Sequence, residues 1–236
     1  LLLPEGDAAS APCVVFIAGS GPTNRDWLSA MLPGTNGSAR QLAEALVEEG
    51  VGSIRYDKAV IGESTWPIGE ATLDLYRDEA RQAWRVMTEQ PVCGRVSFIG
   101  NSEGSVHSFR AGVLLQNEPR FGGIVSLSGP ATGLLDLVKI QLKAQLPEGR
   151  DLEAVDKQLD DLDARIRRLP VQDGPPVLSL IPSAASIWMS VLHPLQGELV
   201  RDILLVEPLE SIGVYTGAAL IMGADLDVQV APSEAE

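Results

Sequence analysis

An α/β protein on a mostly parallel sheet flanked by helices, carrying a helical insertion, is the architecture this sequence predicts. Three observations predict it. Short apolar runs alternate with amphipathic helical stretches over residues 12–129. The glycine-rich segments fall at the ends of those runs, where open parallel sheets bind their ligands. The alternation then stops over residues 131–206 and resumes with "GAALIMG" at 217–223.

Each element has its own warrant. "PCVVFIA" (12–18) is a short continuous apolar run, the pattern of a strand buried on both faces, and it feeds a long polar loop, "GSGPTNRDWLSAMLPGTNG". "SARQLAEALVEEG" (38–50) predicts a helix capped by Ser38, with Leu42, Ala45 and Leu46 on one face and Gly50 as its stop. "VGSIRYD" (51–57) is the next strand, 71–90 a helix, "RVSFIG" (95–100) a strand, 102–116 a helix and "GGIVSLSG" (122–129) a strand. Residues 1–130 and 207–236 are therefore expected to form the sheet core, with 131–206 inserted as a helical cap. Inside the insertion, Leu152, Val155, Leu159, Leu162, Ile166 and Leu169 make one apolar stripe. It suits a helix packed on its own domain, a coiled-coil partner being the alternative. Residues 170–186 read as a proline-rich loop and 187–205 as helix in pieces. There Trp188, Met189 and Leu192 are read as core of the cap rather than pocket lining.

Composition bounds the function. The 236 residues are 45% apolar and carry a net charge of −14, which repels phosphate backbones and argues against nucleic acid as a partner. No apolar run reaches the roughly 18 residues of a membrane span. A soluble chain is expected, with the cytoplasm favoured and a removed signal peptide left open. Cys13 and Cys93 are far apart and lack metal-ligand spacing, so they read as buried small residues and leave the redox compartment undetermined. The chain opens "LLLPEGD" without methionine and closes "QVAPSEAE"; both ends are expected to be those of a piece of a longer chain. No metal or cofactor is implied, and oligomeric state is not legible.

The chemistry centres on "GNSEGS" (100–105). A strand, a glycine-flanked serine and a helix describe a nucleophile elbow, which presents Ser102 above the sheet at a helix N-terminus. Acyl transfer also needs two backbone N–H donors aimed at the oxyanion. Glu103, the residue after the serine, supplies one; Ser20, between Gly19 and Gly21 after the first strand, is the natural second. The competing readings of that loop are a phosphate cradle or a plain turn, but it lacks the spacing of either phosphate-binding glycine motif.

"GSGPTNRD", "RYDKAVIGES" and "GNSEGS", in this order, resemble bacterial serine carboxylesterases of the α/β-hydrolase superfamily that carry a helical cap. The resemblance runs over most of the chain and is weakest through 131–206. It implies an α/β-hydrolase fold and hydrolysis of a small-molecule ester. Relatives usually have Arg-Gly where Ala59 and Val60 stand, and histidine where Asn101 stands. It also implies the acid, in a Gly-x-x-Asp-x-Gln-Val-like segment. "MGADLDVQV" aligns Asp227 with it, and Asp225 is the alternative. Relatives place the histidine after the acid, yet this chain runs from Asp227 to Glu236 without one. Of the two histidines present, His107 faces away from Ser102 on the nucleophile helix and His193 lies in the expected cap. A histidine beyond residue 236 is therefore expected. Two other readings stay open: a ligand-binding scaffold without turnover, and an acyltransferase using the same site.

Overall fold

The computed structural model describes residues 1–5, 10–29, 34, 37–65, 72–168 and 175–235. The chain divides into two compact units, one from Leu1–Ile68, Asp74–Ala131 and Pro208–Glu236, the other centred on Thr132–Glu207.

The first unit is a sheet with helices on both faces. Its strands are β1 (Ala11–Ile17), β2 (Gly52–Arg55), β3 (Cys93–Asn101), β4 (Phe121–Leu127) and β5 (Ala219–Met222). They lie in the order β2-β1-β3-β4-β5, and every pairing is parallel. Val15 of β1 pairs with Ile54 on one side and Phe98 on the other, so the chain winds both ways from β1. That makes the carboxyl ends of β1 and β3 the switch point, where such sheets open a crevice.

The helices are α1 (Ser38–Glu48), α2 (Leu73–Thr88) and α3 (Glu103–Leu115). Alternation along β1 sends Val15 and Ile17 to one face and Val14 and Phe16 to the other. Val15, Ile17, Val96 and Phe98 pack with Trp84 and Met87 of α2 and Phe109 and Leu115 of α3. Val14, Phe16 and Ile99 pack with Ala39 and Ala43 of α1. The helix that Ser38 was expected to cap starts differently. Gly37 is the cap, at φ 57°, without a side-chain bond, and the Asp26 carbonyl accepts the free Ala39 N–H. Gly50 ends the helix as expected: at φ 78° it lets its own N–H reach Val47 and the Val51 N–H reach Leu46.

The cysteines correct the sequence reading. Cys13 and Cys93 are buried, as expected, but they are joined in a disulfide across the neighbouring strands β1 and β3. A sequence separation of 80 residues hid the pair, because nothing local signals a bond between adjacent parallel strands. The strand expected at 217–223 exists as β5, but as an exposed sheet edge: Leu220, Ile221 and Met222 all face outward.

The second unit is helical, with α4 (Leu134–Ala144), α5 (Leu152–Arg167), α6 (Ala184–Val191) and α7 (Gly197–Leu204); α8 (Pro208–Ile212) returns the chain to the sheet. Four of the six predicted stripe residues of α5, Val155, Leu159, Leu162 and Ile166, are buried against Leu135, Leu142, Ile181 and Trp188. Leu152 is exposed, and Leu169 and residues 170–174 lie outside the described residues. Asp151 caps α5 by accepting the Ala154 N–H at 3.1 Å. Arg201 binds the Ile166 and Arg167 carbonyls at its other end. Trp188 is core as read from sequence, whereas Met189 and Leu192 are exposed, because only one side of the short helix α6 meets its neighbours.

Candidate active site

Ser102 stands where β3 turns into α3, at φ 52° and ψ −126°. Few non-glycine residues adopt that conformation, and it costs on the order of 1–3 kcal/mol. It is held by two backbone bonds, Ser102 N–H to the Leu127 carbonyl at 2.9 Å and Ser105 N–H to the Ser102 carbonyl at 2.9 Å. The flanking glycines are dictated by space. A Cβ on Gly104 would stand 2.3 Å from the Ile17 carbonyl oxygen, and one on Gly100 2.4 Å from Ser108 Oγ. The loop leaving β1 passes close to the serine: a Cβ on Gly19 would lie 3.3 Å from Ser102 Cβ.

Ser20 and Glu103 meet beside Ser102. The Ser20 hydroxyl contributes to lowering the Glu103 carboxyl. Lys58 Nζ donates to the Gly19 carbonyl at 2.6 Å and lies 3.7 Å from Glu103 Oε1. His107 Nε2 lies 3.1 Å from the same carboxylate oxygen. Burial pushes the Glu103 carboxyl up, but the Lys58 ammonium and the His107 bond outweigh it and hold the group down at about 2. Burial drives the His107 pKa down against the pull of Glu103. Its Nε2–H donates to Glu103, and Nδ1 has no partner among the described residues.

The loop after β2 interlocks with the loop after β1. Asp57 accepts from Arg25 N–H at 2.6 Å, Arg25 Nε at 3.0 Å, Arg25 Nη2 at 2.6 Å and Glu63 N–H at 3.1 Å. Burial raises the Asp57 carboxyl, yet these donors outweigh it and lower the pKa. Arg55 Nη1 also pairs with Asp26 Oδ1 across the two loops. Gly62 sits at φ 56°, and a Cβ there would fall 2.3 Å from Asp57 Oδ2. Val60 occupies the left-handed region at φ 63°, so the chain keeps a glycine-like turn where it has a β-branched residue.

Asp227 follows β5. Its Oδ1 accepts the Gln229 N–H at 2.9 Å and the Val230 N–H at 3.0 Å, and the Ser128 hydroxyl adds to the lowering of its carboxyl. Burial raises the carboxyl, and these three donors bring it below its usual value. Asp225 is exposed. Ser128 directly follows Leu127, whose carbonyl holds Ser102, and its N–H donates to the Met222 carbonyl at the end of β5 at 2.7 Å. Among the described residues no histidine bonds Ser102 or Asp227. His107 is committed to Glu103, and His193, exposed in the helical unit, accepts the Leu195 N–H through Nδ1 at 3.2 Å.

The structure thus places the Gly19–Ser20 loop beside Ser102 and Glu103, and holds Asp227 through its bonds to the Gln229 and Val230 N–H groups. The sequence reading placed Asp57 and Lys58 in a motif that supports the oxyanion loop in the families it resembles, and gave no role to Arg25 or Ser128. The available signal was the opposite charge of "NRD" and "RYDK" in loops leaving adjacent strands.

No protein-family profile matches this sequence. Over 143 residues the chain is 25% identical to Esterase EstD of Thermotoga maritima; the match takes in 61% of this chain and 32% of that protein, about a third of its length. The Est1E structure from Butyrivibrio proteoclasticus with bound ferulic acid superposes with a TM-score of 0.58 at 16% identity, over 98% of this chain and 76% of that one. A lipase-esterase related protein from Clostridium acetobutylicum gives 0.54 at 16% identity, over 100% and 82%. The α/β hydrolase GrgF from Penicillium gives 0.56 at 14% identity, over 96% and 76%. With a parallel sheet wound both ways from β1 and a strained serine between β3 and α3, this chain has the α/β-hydrolase fold.

Proposed function

We propose that the chain is a serine carboxylesterase acting on small-molecule esters through an acyl-enzyme on Ser102. The observation that carries the reading is the strained Ser102 backbone, held at a helix N-terminus beside the Gly19–Ser20 loop. The esterase names of the similar proteins support it.

In this reading a histidine base, not bonded to Ser102 among the described residues, takes the hydroxyl proton as the Ser102 oxygen attacks the acyl carbon, and passes it to the departing alcohol. The carbonyl oxygen becomes an oxyanion and accepts hydrogen bonds from the Ser20 and Glu103 backbone N–H groups. Collapse of the tetrahedral species expels the alcohol, and water then cleaves the acyl-serine. Asp227 is assigned the orienting carboxylate of a triad, because its bonds hold it ionised and fixed, as that role requires. The helical insertion between β4 and β5 is assigned control over which esters are accepted, as expected of a cap.

The test is labelling with diethyl p-nitrophenyl phosphate, followed by peptide mapping and by turnover of short-chain p-nitrophenyl esters. Ser102 should carry the single phosphoryl adduct, and Ser102→Ala should abolish both labelling and turnover. Turnover retained within a few-fold in Ser102→Ala would sink the assignment. Tight ester binding without labelling would favour the scaffold reading. Transfer to an added alcohol in preference to water would favour the acyltransferase.

A further inference from the structure

Lys58 and Glu103 are charged side chains exposed by only 2% and 4%. Burial of that depth is costly unless the charges are paired and hydrogen-bonded. The proposed reaction uses neither side chain directly. The ammonium donates to the Gly19 carbonyl, pairs with the Glu103 carboxylate and lies 5.0 Å from the centre of the Tyr76 ring.

The Gly19 carbonyl and the Ser20 N–H belong to one peptide group. That group is planar and trans, so its C=O and N–H point in opposite directions. A cation that holds the oxygen therefore sets the direction of the N–H. It also polarises the amide and strengthens the N–H as a donor. The loop needs such a hold. Ser20 lies between two glycines, and Gly21 is at φ 64°, so the local backbone alone does little to resist a peptide flip. Thr23 Oγ1 secures the next carbonyl, that of Ser20, at 2.6 Å. Through its ion pair the same ammonium anchors Glu103, whose N–H is the other assigned donor.

We propose that Lys58 is the positioning residue of the oxyanion hole, one buried cation that locks the Gly19–Ser20 peptide and anchors Glu103 so that both N–H groups face one point. The proposal rests on reading Ser102 as the nucleophile.

Lys58→Met alone strands the Glu103 charge and is expected to destabilise the fold. The informative variant is therefore Lys58→Met/Glu103→Gln, which removes both charges and keeps both shapes. Three quantities are compared with wild type in the whole chain: the Ser20 amide resonance, the rate constant for Ser102 labelling by diethyl p-nitrophenyl phosphate, and kcat and KM for p-nitrophenyl acetate. The double variant should melt within a few degrees of wild type, with a displaced Ser20 amide. Its labelling and kcat should fall about 100-fold, the scale of one lost oxyanion donor, and its KM should stay within about threefold. An unmoved Ser20 amide, or labelling within about threefold of wild type, overturns the proposal. Failure of a chain that includes the triad histidine to label at Ser102 overturns the nucleophile reading instead. The Ser20 amide would still show whether Lys58 orients the peptide.

Discussion

Removing the disulfide tests how the two strands that carry the site are held. Cys13→Ala/Cys93→Ala opens a loop closed over a separation of 80 residues. In the chain-entropy account a loop of that length stabilises the fold by about 4.5 kcal/mol at 25 °C. Both positions are buried in the core between β1 and β3, where alanine leaves only a small gap. The melting temperature of the sheet unit should therefore fall by about 10 °C or more, at the usual 2–4 °C per kcal/mol for a chain of this size. Denaturant unfolding of the oxidised wild type, the double variant and wild type unfolded under reductant gives the magnitude directly. Thiol titration should find no free thiol in the native chain and two after unfolding with reductant. Below the melting transition Ser102 labelling should be unchanged, because the bond lies at the amino ends of β1 and β3 and the serine at the carboxyl end of β3. A stability loss under about 1 kcal/mol, or two titratable thiols in the native protein, refutes the reasoning. Because such bonds persist in oxidising compartments, a confirmed bond would also weigh against the cytoplasm expected from sequence.

Three further predictions follow from the loops around the serine. Val60→Gly relieves a β-branched residue at φ 63° and, net of glycine's chain entropy, should stabilise by about 1 kcal/mol in denaturant unfolding; destabilisation would show that Val60 packing outweighs the strain. Gly104→Ala places a methyl 2.3 Å from a backbone carbonyl, so it should destabilise by about 3 kcal/mol or more and suppress Ser102 labelling. Glu79, which accepts the Ala59 N–H at 2.9 Å, is raised by burial to about 7 against the pull of Ala59 and Lys58. A carboxyl raised on folding binds its proton more tightly in the native state, so its contribution is full below about pH 4.5 and is lost as pH rises through 7. Glu79→Gln should flatten the fall in melting temperature between those pH values, and an unchanged slope would reject that role.

The central strand β1 was legible because it is buried on both faces and so reads as an unbroken apolar run, "PCVVFIA". The elbow was legible because Gly100 and Gly104 are required by contacts the sequence itself announces, a strand running into a helix. What stayed hidden was of another kind. The disulfide depends on β1 and β3 being neighbours, a fact of topology that strand order along the chain does not give. The exposure of β5 was equally hidden, because "GAALIMG" is as apolar as an interior strand. Gly37 displaced Ser38 as the helix cap because a distant carbonyl, that of Asp26, took the free N–H.

The two loop motifs make sense only as a pair. Taken alone, "GSGPTNRD" is a flexible turn and "RYDKAVIGES" a charged one. Folded, Arg25 and Asp26 of the first meet Asp57 and Arg55 of the second, and Lys58 reaches across to Gly19. Each bond joins residues 29 to 39 positions apart, so none is visible as a local pattern. The spacing of the motifs carries the information instead, because β1 and β2 are paired in parallel and their carboxyl ends lie side by side. This also explains how the chain accommodates Val60 at a left-handed position. The turn is fixed from outside by the Arg25–Asp57 clamp, by Ser64 Oγ on the Asp57 carbonyl at 2.8 Å and by the fit of Gly62 against Asp57. Surrounding contacts thus over-determine the backbone there, the condition under which such strain persists. Breaking the clamp with Arg25→Met should therefore destabilise the loop more in this chain than in a Val60→Gly background, where the turn is unstrained. Equal losses in the two backgrounds would show that clamp and turn are independent.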